Sequence, residues 1–282
     1  MSRIWFITGA SSGLGREMAE QLLERGERVA GTARRPQALE DLQRRHGAAL
    51  LPLFLDLAEP ESIGRAVAEA LRHFGRIDVV VSNAGYGLFG AAEEVTEAQI
   101  ERQMATNLLG SIRLVRAVLP VLRAQGGGRI LQVSSEGGQI AYPSFSLYHA
   151  SKWGIEGFLE SVAQEVAPFG IDIIIAEPGP TGTGFGAALD QAAPMEVYAG
   201  TPAGAVRRAI AEGSFEIRGD AARTARAMLD AAMAAEPPLR LALGSTAYAS
   251  IEAALERRLA ALRAQRAIAF SADRAAEAQG TV

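Results

Sequence analysis

The chain of 282 residues contains no cysteine. That excludes disulfide frameworks, thiolate metal sites and thiol nucleophiles. It fits a reducing compartment, and a cytoplasmic location is expected. Histidine is scarce. His46, His73 and His149 lie far apart with no ligand spacing, so no metal is expected. Positive charge is not in excess either. The formal net charge of −4 lacks the basic stripe a nucleic-acid surface needs, so no nucleic-acid partner is expected. No apolar run approaches the ~18 residues that span a bilayer, and no membrane partner is expected. The chain runs directly into a strand pattern, without the basic region, apolar stretch and cleavage site of a signal peptide.

What is present is a core-forming chain with 49% hydrophobic residues and a regular alternation of patterns. Arg3 to Ile7, Arg28 to Ala33, Ala49 to Leu55, Asp78 to Val81, Arg129 to Val133, Ile171 to Ala176 and Leu239 to Leu243 read as strands. Helical spacing follows Gly15, spans 38–45, 62–74 and about 96–124, and resumes after Tyr148. Such alternation marks repeated βαβ units: an α/β, doubly wound Rossmann fold with a parallel sheet and helices on both faces. Residues 1–282 are expected to form a single dinucleotide-binding domain. Within it, 186–218 are read as a loop or lid on the substrate side, and 246–266 as a C-terminal helix. The last dozen residues are small and polar and are read as a frayed end.

Three places carry chemistry. The first is the loop Gly9-Ala10-Ser11-Ser12-Gly13-Leu14-Gly15, between the first strand and first helix. Its three glycines permit a tight turn and close backbone approach, and helix N-terminal amides would face a phosphate. The second is the end of the second strand, where NAD sites place a carboxylate. Here stand Ala33, Arg34 and Arg35. A guanidinium can grip a 2′-phosphate with paired hydrogen bonds, so NADP(H) is expected over NAD. The third is the stretch from Ser134 to Lys152. Tyr148 and Lys152 are four apart and share a helix face. An ammonium one turn away is expected to pull the phenol's pKa, ordinarily near ~10, toward the working range. Ser135, at a strand end, is placed to hold a carbonyl oxygen beside the phenol.

Thr8-Gly9-x-x-x-Gly13-x-Gly15, Asn83-Ala84-Gly85, Asn107, Ser135, Tyr148-x-x-x-Lys152 and Pro178-Gly179 together resemble the short-chain dehydrogenase/reductase family, over about residues 3 to 185. The resemblance implies a seven-stranded sheet of order 3-2-1-4-5-6-7 and a catalytic set of Asn107, Ser135, Tyr148 and Lys152. Tyr148 would be the general acid in reduction and base in oxidation. Lys152 would bind the nicotinamide ribose, Ser135 would hold the substrate oxygen, and Asn107 would anchor a water linking Lys152 to solvent. The cofactor would lie against Gly9, Ser11, Ser12, Gly13, Leu14, Gly15, Arg34, Arg35, Asp56, Leu57, Asn83, Ala84, Gly85, Tyr148, Lys152, Pro178, Gly179, Thr181 and Thr183. Ser82 and Gly182 depart from residues common in the family. The segments 81–87 and 168–170 look closest to the 17β-hydroxysteroid dehydrogenase-like branch, implying a fairly apolar ketone or secondary alcohol. Tyr86, Tyr142, Phe145, His149 and Phe185 are candidates for its pocket. The expected activity is an NADPH-dependent carbonyl reductase or alcohol dehydrogenase. The rival is a regulatory protein that binds NADP(H) and senses redox state without turnover. A homodimer or homotetramer would pair through the long helices at 96–124 and 148–167.

Overall fold

The computed structural model describes residues 2–214 and 216–274. Seven parallel strands form the main sheet: β1 Ile4–Ile7, β2 Arg28–Ala33, β3 Leu50–Phe54, β4 Val79–Ser82, β6 Gly128–Val133, β7 Ile171–Pro178 and β9 Arg240–Leu243. Their order is β3-β2-β1-β4-β6-β7-β9. Counting main-sheet strands alone, this is 3-2-1-4-5-6-7, as the family resemblance implies. The remaining strands, β5 Leu88–Phe89 and β8 Asp190–Gln191, are two residues each and pair with one another.

The strands are apolar on both faces because both faces are covered. Along β1, Trp5 and Ile7 join one core while Phe6 joins the other. That is the two-residue period of a strand acting on every side chain. On the first face, helices α1 Gly13–Glu24 and α8 Ala221–Met233 supply Met18, Leu22, Met228 and Leu229, and the short α2 Glu40–His46 supplies Leu42. On the second face lie α3 Pro60–Phe74, α5 Ser111–Ala124 and α6 Ser146–Val166, contributing Ile63, Val67, Leu114, Val118, Ile155 and Leu159. Each fully buried leucine or isoleucine side chain adds about 2 kcal/mol of transfer free energy.

The long helix expected over 96–124 is one continuous element with a fault in it. Helix α4 Glu97–Met104 begins at a capping box between Thr96 and Gln99. A π-turn follows at Ala105–Gly110, and α5 continues from it. By length and composition the span Glu97–Ala124 could cross a bilayer, but its apolar face is packed on the sheet.

Residues 186–218 are not a free loop. β8 fastens them to β5, and α7 Pro202–Ala211 packs back on the body. A buried carboxylate makes that attachment. Glu94 accepts from the backbone amides of Ala91 at 2.7 Å and Met195 at 2.8 Å, and pairs with Arg207 of α7 at 2.5 Å. The C-terminal helix expected over 246–266 is α9 Ser245–Ala264, followed by α10 Arg266–Ser271. The frayed end expected from 271 lies, from 275 on, outside the described residues.

Candidate active site

The carboxyl ends of β1, β2, β4, β6 and β7 meet along one edge, and the residues singled out from the sequence gather there. Thr8 sits at the end of β1. Its hydroxyl donates to the Val81 carbonyl at 3.3 Å and accepts from the amides of Asn83 at 2.8 Å and Ala84 at 3.0 Å. The Asn83 side chain returns the contact, donating to the carbonyls of Thr8 at 2.9 Å and Gly9 at 3.3 Å. The glycine loop and the Asn83-Ala84-Gly85 segment are thereby locked together.

The loop cannot be built from other residues. Gly9 and Gly13 have φ of 67° and 54°, the left-handed region that favours glycine. A Cβ at Gly15 would lie 2.3 Å from the Gly9 carbonyl oxygen. Helix α1 starts at Gly13 without a side-chain cap from Ser12, so the amides at its head lack helical partners. Thr183 stands across from this loop; its Cβ is 3.8 Å from where a Gly13 Cβ would be. Thr181 is turned elsewhere, its hydroxyl donating to the Gly179 carbonyl at 2.8 Å. The Gly179 amide in turn is bonded to Leu243 of β9 at 3.0 Å.

Arg34 and Arg35 are exposed at the tip of β2, and neither forms an ion pair among the described residues. Asp56 follows β3 and closes a turn, accepting from the Ala58 amide at 2.9 Å. Leu57 is buried, and a Cβ at Gly110 would lie 2.6 Å from it. These features together fit a dinucleotide: a backbone cradle that side chains would fill, helix amides and two guanidinium groups beyond the sheet edge without ion-pair partners among the described residues.

Asn107 lies inside the π-turn and is buried. Its side chain grips the Tyr86 backbone from both sides, donating to the carbonyl at 2.8 Å and accepting from the amide at 3.1 Å. These two bonds fix the turn after Gly85. Ser135 lies two residues past the end of β6 and heads the turn that follows, its hydroxyl accepting from the Gly137 amide at 3.1 Å.

Tyr148 and Lys152 occupy one face of α6, each only 7% exposed. The Lys152 ammonium nitrogen is 5.5 Å from the Tyr148 ring centre and donates to the Val133 carbonyl at 3.0 Å. The expected fall in the phenol's pKa does not occur in this state. Burial pushes Tyr148 up to about 12; the Ser135 hydroxyl draws it down, and the charges of Glu136 and Glu156 push it further up. Lys152 moves the other way, lowered by burial to about 8 while Glu156 raises it. Desolvation disfavours both ionised forms, and it is the largest cause of each shift. The phenol therefore keeps its proton at neutral pH.

Two features were not foreseen. Lys152 is the only lysine in the chain; every other cationic side chain among the 28 Lys and Arg is an arginine. An arginine stays charged and cannot serve as a titrating ammonium, so the composition itself marks residue 152. Glu156 is four residues further along the same helix, a spacing visible in the sequence. It is buried and accepts from Ser134 at 2.5 Å and Gln139 at 2.7 Å, and pairs with Arg240 at 2.7 Å. Arg240 also binds the buried Glu177 and the exposed Glu160. This network backs the lysine.

Beside the Tyr148 ring is an aromatic cluster. Phe89 and Phe145 rings are 5.1 Å apart, Tyr142 and Phe145 5.4 Å, and Tyr148 and Phe185 5.8 Å. Leu189, Val206 and Ile210 pack against it from the 186–218 segment. His149 adjoins Tyr142, with neither ring nitrogen hydrogen-bonded among the described residues and burial lowering it to about 4. Tyr86 is raised by burial; Asp190 adds to the rise, while Arg102 and Arg34 oppose it.

The short chain dehydrogenase family model matches residues 3–194. The oxidoreductase BOA17 of Botryotinia fuckeliana is 39% identical over 249 residues, covering 88% of this chain and 90% of that protein. Among solved structures, a short-chain dehydrogenase from Streptomyces avermitilis is 37% identical with a TM-score of 0.89, covering 96% of this chain and 98% of the other. Two more distant structures hold cofactors. A short chain dehydrogenase of Burkholderia cenocepacia in complex with NADP has 25% identity and a TM-score of 0.73, covering 94% and 97%. One of Burkholderia phymatum in complex with NAD has 22% identity and a TM-score of 0.78, covering 89% and 92%.

Proposed function

Since the chain belongs to the short-chain dehydrogenase/reductase family and is an NAD(P)-dependent oxidoreductase, we propose that it reduces a fairly apolar ketone with NADPH and, in reverse, oxidises the secondary alcohol. One observation carries this reading: a buried phenol, still protonated, stands between the Ser135 hydroxyl and the Lys152 ammonium and borders an aromatic cluster.

NADPH, when bound, supplies a hydride to the carbonyl carbon. The chain's own residues handle the oxygen. Tyr148 gives its proton to the developing alkoxide, and the Ser135 hydroxyl holds that oxygen in place. Lys152, its ammonium 5.5 Å from the ring centre, stabilises the phenolate left behind. Asn107 holds the Tyr86 turn that forms one wall of the cleft. Arg34 and Arg35 hold the 2′-phosphate, and the amides at Gly13, Leu14 and Gly15 receive the pyrophosphate. Ser11, Ser12, Asp56, Leu57, Asn83, Ala84, Gly85, Pro178, Gly179 and Thr183 line the remainder. Thr181 shapes the loop that presents Thr183. The 186–218 segment acts as the roof of the substrate compartment. Leu109 and Trp153, exposed on the long helices, support pairing of subunits through those faces.

The test is NADPH consumption with a panel of aliphatic and cyclic ketones. Turnover is expected, and Tyr148→Phe should lower it by at least about 100-fold, nearly 3 kcal/mol of barrier. Near-wild-type turnover in Tyr148→Phe would refute the assignment. Cofactor binding without turnover on any carbonyl would favour the redox-sensing alternative.

A further inference from the structure

The C-terminal arm leaves the body of the protein partway along α9. Its inner half is anchored. Ala247, Ile251 and Ala254 are buried, and the Ser250 hydroxyl donates to Glu136 at 2.8 Å. The Arg258 guanidinium lies 5.0 Å from the Trp153 ring centre and donates to Gln139 at 3.3 Å. From Leu255 to Arg274 every residue is exposed. Beyond Arg258, no hydrogen bond among the described residues ties α9 or α10 to the rest of the chain. Yet this outer stretch is not polar. Leu255, Leu259 and Leu262 are 50%, 46% and 65% exposed, and Ile268 and Phe270 of α10 are exposed as well.

Steps of four and three residues put the three leucines on one stripe, the seam spacing of paired helices. A free helix of this length is marginal in water, and helices in proteins owe their stability to packing of their apolar face. Charge decides what covers this one. Glu256 stands beside the stripe at its N-terminal end and Arg263 on the same flank at its C-terminal end; both are exposed, and neither is in an ion pair among the described residues. A second copy laid antiparallel sets Glu256 of each chain against Arg263 of the other and seats Leu259 on Leu262, twice over about one twofold axis. A parallel copy brings the acidic ends together and the basic ends together. A membrane surface fits less well, because interfacial helices carry basic residues beside their apolar face, and this flank opens with Glu252 and Glu256.

We propose that α9 pairs antiparallel with α9 of a second copy of this chain, through a seam of Leu255, Leu259 and Leu262 closed by two symmetric Glu256–Arg263 ion pairs. The occupant is the chain itself because each copy carries both halves of the charge pattern. The same pairing carries α10 along the facing helix, bringing Ile268 and Phe270 toward the exposed Tyr248 at its start. This contact is separate from the pairing through the long helices, which uses Leu109 and Trp153, and it does not depend on the reductase assignment.

The experiment measures the particle mass of the full chain against concentration, by light scattering and mass photometry. Wild type is expected to be a dimer or larger at about 10 µM. Leu259→Asp places a carboxylate in the seam from each copy and should raise the dissociation constant of this contact by about 100-fold or more. Glu256→Arg alone, or Arg263→Glu alone, turns both attractions into repulsions and should raise it about tenfold. The two together rebuild the pairs in reverse and should return it to within about threefold of wild type. The charge variants leave the leucines in place, and an unchanged melting temperature confirms their fold, so the outcome does not hang on Leu259→Asp keeping its helix. A monomeric wild type, a dissociation constant unmoved by Leu259→Asp, or single charge changes that the double variant does not reverse would each overturn the proposal. So would flotation with vesicles of phosphatidylcholine and phosphatidylserine that Leu259→Asp abolishes while the particle mass stays the same, which would give this face to a membrane.

Discussion

Replacing Arg240 by methionine should damage the protein in a pH-dependent way. The guanidinium is one third exposed, at 31%, but the two carboxylates it joins, Glu156 and Glu177, are only 2% and 3% exposed. Removing the cation leaves two like charges facing each other without water. Breaking a buried pair from one side costs roughly 3–5 kcal/mol; with Arg240 partly in solvent, about 3 kcal/mol is expected at pH 8. For a chain of this size that corresponds to a fall in Tm of about 6–12 °C. Glu177 is already raised by burial and by Glu156, with Arg240 holding it down. Without Arg240 its folded-state value climbs further. A carboxyl raised in the folded state binds its proton more tightly there than in the unfolded chain, so stability falls as pH rises through that range. The deficit should therefore shrink to about 1 kcal/mol at pH 5, where one carboxyl can be neutral. Glu177→Gln in the Arg240→Met background should recover part of the loss at pH 8. Differential scanning calorimetry at the two pH values measures all of this. An Arg240→Met protein that melts within about 2 °C of wild type at pH 8, or whose deficit is the same at pH 5, would refute the reasoning.

Other outcomes follow from the same geometry. Arg34→Ala should raise KM for NADPH by roughly 10- to 100-fold and leave KM for NADH nearly unchanged, because only the 2′-phosphate loses a paired guanidinium. Because Lys152 is the only lysine, reductive ¹³C-methylation yields one side-chain signal; its NMR titration in the cofactor-free protein should centre on about 8, and a midpoint near 10.5 would contradict its desolvation. His149 is lowered from 6.5 to about 4, so the unfolded chain binds its proton first and stability should drop on acidification through that window. The contribution is on the order of 2 kcal/mol, and His149→Phe should flatten that part of the urea-denaturation profile.

Much of this was legible in the amino-acid order, for reasons that differ by region. The central strands announce themselves because they are covered on both faces and so are apolar almost throughout, as with Ile4 to Ile7 and Val79 to Val81. The glycine loop is legible because few other structures need glycines at 9, 13 and 15 together. Local patterns could not reveal β5 and β8, which are two residues long and exist only through each other. Nor could they reveal the π-turn, since Ala105 to Gly110 contains no breaker before Gly110 and its width is set by tertiary contacts to Tyr86 and Leu57. The direction of the Tyr148 shift was missed for a related reason. Spacing on a helix reports the lysine, but only the packed structure reports how much water both groups have lost.

That π-turn limits how this region can change in length. A π-turn holds one residue more than the α-helix would, and each residue of an α-helix advances about 100° around the axis. Deleting any single residue between 105 and 110 would let the helix relax to regular α geometry. The two halves would then be rotated against each other, and the clasp of Asn107 on Tyr86 could not coexist with the tight seat of Gly110 on Leu57. The extra residue works as a phase shifter between a half-helix that serves the cleft and one that serves the core. Surface loops elsewhere can gain or lose residues freely; a frame change here would misalign the two functions without unfolding either.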